Sequence, residues 1–274
     1  MRFGSKELDL ARPVVMGILN VTPDSFSDGG RFVVRDAAIR HAEDMVAAGA
    51  SIIDVGGEST RPGAAEVAAD QELDRVVPVL EAIATRLDVV LSVDTGKSMV
   101  MRAAVEAGAG LINDVYALRQ EGALEAAAEL DAAICLMHMQ GTPATMQQDP
   151  QYDDVTRTVA GFLGDRIDAC RTAGIDESRL LVDPGFGFGK NDAQNLELLS
   201  KLSRLQILGP PLLVGLSRKR LLGNLTGRPT DQRLPAGIAA AVLAVERGAR
   251  IIRTHDVAET VDALRIAQAV LEVG

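Results

Sequence analysis

Ser51-Ile52-Ile53-Asp54-Val55-Gly56-Gly57 is followed, one loop later, by a stripe of Leu73, Val76, Val77, Leu80, Ile83 and Leu87. The first stretch is apolar without alternation, as in a strand of a parallel sheet covered on both faces. The stripe falls at i, i+3, i+4 and i+7, the spacing of one buried helix face. Strand, polar or glycine-bearing turn, amphipathic helix: this is one β/α unit, and the chain repeats it. Further apolar runs occupy Val14–Val21, Val89–Val93, Leu111–Val115, Ala133–Met137, Leu180–Val182, Leu212–Leu216 and Arg250–Arg253, eight in all. Helical patterns lie between and after them, at Ala37–Val46, Val100–Val105, Leu124–Leu130, Val155–Ala169, Leu196–Leu202, Ile238–Val245 and Val257–Leu271.

No linker, low-complexity tract or break in composition interrupts this alternation. The expected architecture is therefore α/β, a single (β/α)8 TIM barrel forming one domain over residues 1–274, with long loops after strands 1 and 2. The 274 residues match the roughly 250 typical of such a barrel. Periodicity does not establish closure, so a doubly wound open sheet stands as the alternative. The connection after strand 5 (His138–Tyr152) is also long, and long loops on a compact scaffold tend to be lids or binding loops.

Composition narrows the function. With 3% aromatic residues and no Trp, the core is aliphatic and alanine-rich, unlike a module built on aromatic anchors. A formal charge of −10 argues against a nucleic-acid partner, which needs a basic face. No apolar run approaches the roughly 20 residues that span a bilayer, and Met1–Leu10 lacks an apolar signal core. Cys135 and Cys170 form no C-x-x-C pair, and Cys135 sits in an apolar run. The expectation is a soluble, cytoplasmic protein without a membrane partner.

Chemistry in a barrel sits at the carboxyl ends of its strands, and the polar residues that break the pattern gather there. They are Asn20, Asp54, Asp94 with Thr95, Asn113 with Asp114, His138, Asp183, Ser217-Arg218-Lys219 and Arg253-Thr254-His255. One polar strand end is ordinary; eight in register with the fold call for a shared purpose. The basic members, Arg61 of the second loop with Arg218, Lys219, Arg253 and His255, would form a positive rim for an anion. Asp256-Val257-Ala258-Glu259 has the form of a capping box, so a helix amino terminus would add to that preference.

Several familiar patterns fail. Gly185-Phe186-Gly187-Phe188-Gly189-Lys190 looks like a phosphate loop, but Pro184 and Asn191 stand where that pattern needs Gly and Ser or Thr. H-E-x-x-H, Cys/His zinc spacing and a G-x-S-x-G elbow are absent. His41 reads as a surface histidine.

The segment Met16–Gly30 (MGILNVTPDSFSDGG) resembles the first signature of dihydropteroate synthases, and Asp54–Gly63 (DVGGESTRPG) resembles the second. Ser92-Val93-Asp94-Thr95, Ile112-Asn113-Asp114, Met137–Gly141, Asp183–Lys190, Ser217-Arg218-Lys219 and Arg253–Val257 follow in that family's order. The likeness runs through about the whole chain. Small departures occur: Thr254 stands where Val is common, and Pro235-Ala236-Gly237 replaces a frequent Gly-Ser or Gly-Thr step.

The resemblance implies a transferase of folate biosynthesis, a pterin-binding barrel that condenses 6-hydroxymethyl-7,8-dihydropterin pyrophosphate with p-aminobenzoate. It implies an SN1-like reaction with Mg2+, a homodimer, and a sulfonamide target. By the same resemblance Arg61, Lys219, Arg253 and His255 are the catalytic group. Asp94, Asn113, Asp183 and Lys219 bind the pterin, whose donor–acceptor edge buried Asp and Asn complement. Asn20, Thr60, Arg61, Arg253 and His255 hold pyrophosphate, and Asn20 is the metal ligand. Phe26, Thr60, Pro62, Phe188, Ser217 and Lys219 line the p-aminobenzoate site.

Three other readings compete. A non-catalytic pterin-binding paralogue would have lost some of Asn20, Thr60, Arg61, Lys219 or His255, and all are present. The pterin-binding barrel of corrinoid methyltransferases has no use for a pyrophosphate pocket. A Schiff-base aldolase using Lys219 would be trapped by borohydride.

Overall fold

A computed structural model describes residues 1–22, 31–59, 67–143, 145–147 and 149–273, with backbone only for 31–34. The chain opens with a two-stranded hairpin, β1 (Arg2–Phe3) and β2 (Lys6–Glu7). Eight parallel strands follow: β3 (Val14–Asn20), β4 (Ile52–Gly56), β5 (Val90–Asp94), β6 (Leu111–Asp114), β7 (Ala133–Met137), β8 (Leu180–Asp183), β9 (Leu212–Gly215) and β10 (Ala249–Thr254). β10 pairs with both β9 and β3, so the sheet closes. Closure decides between the barrel and the open sheet.

The helices α1 (Arg31–Ala47), α2 (Ala69–Ala84), α3 (Ser98–Glu106), α4 (Ala123–Glu129), α5 (Val155–Thr172), α6 (Asp192–Ser200), α7 (Arg220–Thr226), α8 (Leu234–Glu246) and α9 (Val257–Leu271) surround it. The helix α7 and the hairpin carry no sequence signal strong enough to be foreseen. Each is short, and α7 has a buried face of just Leu221, Leu222 and Gly223. Where the sequence offers a capping box at Asp256, the structure forms none. Asp256 turns its carboxylate to Arg218, 2.6 Å away. The Thr254 hydroxyl accepts instead from the Asp256 amide at 3.1 Å and from Thr260 at 3.2 Å. Buried between strand and helix, Thr254 therefore shapes the start of α9 rather than an anion pocket. A true capping box closes α6, where Asn191 and Gln194 exchange side-chain bonds with each other's amides.

Continuous apolar strands conceal a period of two. Val15, Leu19, Ile53, Val55, Leu91, Ile112, Ile134, Val182, Val214 and Ile252 belong to the layer between barrel and helices. The alternate positions Met16, Ile52, Val90, Leu111, Ala133, Leu181, Leu213 and Ile251 form a separate cluster inside the barrel at its amino end. Phe3 of the hairpin joins them from below and is 1% exposed. Gly110 lets it in, because a Cβ there would lie 2.4 Å from the Phe3 carbonyl oxygen. Two residues further along, the same inward parity gives Ile18 on β3 and Cys135 on β7, and Asp54, Ser92, Asn113, Asp183, Gly215 and Arg253 on the other six strands. The barrel is thus plugged below and polar above.

Candidate active site

Asp54 stands at the centre of the upper layer, fully buried. Its Oδ1 accepts from the Ser92 hydroxyl at 2.6 Å. Its Oδ2 accepts from Asn113 Nδ2 at 3.1 Å and from Arg253 Nε at 2.6 Å. Arg253 Nη2 reaches on to Asp94 Oδ2 at 2.8 Å. One guanidinium therefore serves two carboxylates. Burial raises the Asp94 carboxyl to about 7; Arg253 opposes the rise, and the neighbouring Asp54 adds to it. The guanidinium, held by both acids against the cost of its own burial, stays charged.

Asp183 closes the far side at the end of β8, 7% exposed, accepting from the Gly185 amide at 2.7 Å. Burial raises its carboxyl, with the Gly185 amide, Lys219 and Lys190 opposing. Lys219 reaches the same mouth from the amino end of α7. Its Nζ lies 4.1 Å from the centre of the Phe188 ring, a cation–π contact. Burial, joined by the charge of Arg253, lowers Lys219 to about 8. Beside it the Ser217 hydroxyl meets His255 Nδ1 at 3.0 Å, and the His255 amide donates to the same oxygen at 3.2 Å. The one hydroxyl thus holds both the backbone and the ring of His255.

Asn20, Asp94, Asn113, Asp183, Lys219, Arg253 and His255, all singled out from the sequence, thus stand at one end of one barrel, with Phe188 and Ser217 beside Lys219 and His255. Phe26, Thr60, Arg61 and Pro62 lie outside the described residues. The expected rim of cations takes another form. Arg253 is turned inward onto Asp54 and Asp94, Arg218 is paired with Asp256, and Lys219 rests on an aromatic face. In an acidic mouth each cation has local carboxylates or π density to satisfy first.

Sequence reasoning gave no role to three groups. Asp54 is the hub, and inward parity with Ile52 was its signal. Lys97 links Glu58, the glutamate of the second signature, to fully buried Glu72 of α2, 2.6 Å from the latter. Burial by itself would lower the lysine; the two carboxylates more than offset it. Glu58 also accepts from the Val67 amide at 3.0 Å, so one carboxylate touches both ends of the second loop. The third is Lys190 of the glycine-rich segment, 1% exposed, whose ammonium faces inward to protein acceptors rather than outward to a phosphate.

Residues 16–255 match the pterin binding enzyme family. Dihydropteroate synthase of Escherichia coli K12 is 54% identical over 264 residues, covering 96% of this chain and 94% of that protein. The chain belongs to the dihydropteroate synthase family of pterin-binding enzymes. Among solved structures, the Yersinia pestis dihydropteroate synthase in a sulfonamide drug complex superposes with a TM-score of 0.95 at 54% identity, over 99% of this chain and 100% of that one. The Xanthomonas albilineans enzyme in complex with 7,8-dihydropteroate gives 0.91 at 51% identity, over 100% of both chains. Asp54, Asp94, Asn113, Asp183, Lys219 and Arg253 all fall within the matched span.

Proposed function

We propose that the barrel mouth condenses 6-hydroxymethyl-7,8-dihydropterin pyrophosphate with p-aminobenzoate, giving 7,8-dihydropteroate and pyrophosphate. The observation that carries this reading is the inward polar layer. A neutral heterocycle with a donor–acceptor edge would meet Asn113 and Asp183 within that layer. Asp94 and Lys219 complete that ring of partners. His255 and Asn20 would take the pyrophosphate end, with Arg253, anchored on Asp54 and Asp94, between the two.

The chemistry needs no protein nucleophile. The C–O bond to pyrophosphate breaks and its electron pair leaves with the phosphate. The cation left on the pterin methylene is delocalised into the ring and taken by the aniline nitrogen, whose proton then passes to the released pyrophosphate or to water. Catalysis is positioning plus stabilisation of the leaving group. Phe188 and Ser217, next to Lys219, line the arylamine side, and with Phe26, Thr60 and Pro62 they make the p-aminobenzoate site. Thr60 and Arg61 complete the anion site. A sulfonamide would compete on that arylamine side.

Mg2+ is the proposed metal, supplying charge neutralisation on the phosphate oxygens, with Asn20 as its protein ligand. Among the described residues no three His, Cys, Asp or Glu side chains converge on a point. That fits an ion carried mainly by phosphate and water. A homodimer is proposed through α8 and α9, where Leu243 (40% exposed), Ile266 (70%) and Val270 (62%) leave an apolar face. Both cysteines are buried and free, which supports a cytoplasmic setting. No helix among the described residues is long and apolar enough to cross a membrane.

A coupled assay of pyrophosphate release tests the reaction. Release should require p-aminobenzoate and Mg2+ together and fall away with EDTA. Release that ignores p-aminobenzoate would leave a hydrolase and overturn the reading.

A further inference from the structure

The glycine-rich segment after β8 is tied down at nearly every carbonyl. Gly187 O accepts from Gln147 at 2.8 Å and Gly189 O from the Tyr152 hydroxyl at 2.6 Å. Gly185 O and Phe188 O accept from Lys190 Nζ at 2.9 and 3.0 Å, and His138 Nδ1 completes the lysine's shell at 2.9 Å. Burial lowers Lys190 to about 7, and the shell is filled in either protonation state: an ammonium donates to all three partners, while a neutral amine donates to the two carbonyls and accepts from His138 Nδ1. Glycine is required on both flanks. A Cβ on Gly185 would meet the His138 carbonyl oxygen at 1.9 Å, and one on Gly189 would meet Gln140 O at 2.7 Å. The ring of Phe188, carried between these fixed points, is the surface on which Lys219 rests.

We propose that Lys190 is a positioning residue. Its buried Nζ gathers His138, Gly185 O and Phe188 O into one shell, and so sets the Phe188 ring beneath Lys219 and fixes the arylamine side of the mouth. His138 is the matching half of the device. Burial, reinforced by the charge of Lys190, holds its imidazole down at about 2, so the ring stays neutral throughout the working range. Phe162 meets the ring edge-on at 5.0 Å and fixes its tilt. The buried lysine resembles the ordering groups behind metal and catalytic ligands: it touches no substrate but holds what does. This inference rests on the reaction proposed above for its kinetic arm and is independent of it for its spectroscopic arm.

The chain has five lysines, which makes selectively 13C-labelled lysine spectra tractable. In the unaltered protein the ε-methylene signals of Lys219 should be displaced upfield by the Phe188 ring. Lys190→Met should collapse that displacement by half or more and raise KM for p-aminobenzoate about tenfold, with kcat changed about threefold or less. His138→Leu, which removes one of the three partners of Nζ and keeps an apolar partner for Phe162, should move both readouts the same way by a smaller step. It also serves as the test if Lys190→Met does not fold. Unchanged Lys219 signals in the variant would overturn the proposal. So would a parallel fall of kcat and rise of both KM values that tracks lost stability. If the unaltered protein makes no dihydropteroate, the proposed reaction fails, and the Lys219 displacement still decides the role of Lys190.

Discussion

The lower and upper halves of the barrel interior are built from the same strand faces and do opposite work. Met16, Ile52, Val90, Leu111, Ala133, Leu181, Leu213 and Ile251 fill the amino end with hydrocarbon, sealed by Phe3. One step up the same strands stand Asp54, Ser92, Asn113, Asp183 and Arg253. Below, every residue lowers the free energy of the fold by leaving water. Above, burial costs free energy at each carboxylate, and the cost is met by a fixed set of donors. Along a single strand, positions that stabilise the fold give way within two residues to positions that cost stability and hold the site.

The comparison breaks most sharply at its sealed end. Phe3→Ala should destabilise the protein by about 3–5 kcal/mol, since it empties a fully buried aromatic site that strand residues cannot collapse to fill. KM for both substrates should stay within about twofold, because the mouth lies beyond the apolar layer. Denaturant titration and steady-state kinetics check the pair of outcomes. A KM shift comparable with the stability loss would mean the two halves are coupled.

At the open end, Arg253→Ala leaves Asp54 and Asp94 without their shared cation and should cost about 3 kcal/mol at pH 8. The loss has a predictable pH dependence. Without the guanidinium, which opposes the rise of Asp94, that carboxyl binds a proton more readily when folded, so the variant's deficit shrinks as pH falls toward 5. The variant should also lose affinity for a pterin lacking phosphates, since both acids flank the ring site. Calorimetry in which pyrophosphate binding alone suffers would place Arg253 purely on the anion.

How much of this was legible follows from the same division. Strand runs such as Ala133–Met137 were readable to the residue, because both faces are buried and every position is apolar. The mouth residues Asp94, Asn113, Asp183, Lys219, Arg253 and His255 were readable because polar side chains interrupt that pattern at strand ends. Whom they touch was not readable. Arg253 pairs with Asp54 across 199 positions of sequence, and that depends on barrel closure and shear. The hairpin that seals the bottom escaped notice because Arg2–Phe3 and Lys6–Glu7 are too short to show a period. Lys190 was visible only as a failed phosphate motif, since nothing in a linear reading tells a lysine facing carbonyls from one facing solvent.

A gentler change sharpens the contrast. Asn113→Ala removes a partner of the pterin edge and a donor to Asp54 without leaving an unpaired charge. Pterin affinity should fall by roughly 1–3 kcal/mol in calorimetry, while stability changes less than for Arg253→Ala. Unchanged affinity would take Asn113 out of the pocket.

The smallest effect probes the charge arithmetic of the mouth, two carboxylates against one guanidinium. Burial and the Asp54 charge together raise Asp94 to about 7 from an ordinary 3.8. Its folded form therefore holds a proton that the unfolded chain has already released between those values. The group's contribution to stability is complete below the unfolded value and is lost as pH rises through about 7. Asp54→Asn removes the like charge and frees Arg253 to serve Asp94 alone, and both changes favour the carboxylate. The Asp94 midpoint, followed by 13C NMR of the carboxyl carbon, should then drop below 7, and stability should decline less between pH 5 and 8. If Asp94 in the unaltered protein is already ionised at pH 5, the single guanidinium outweighs both burial and Asp54. The mouth would then be a rigid ion network across the working range rather than one that exchanges a proton near neutrality.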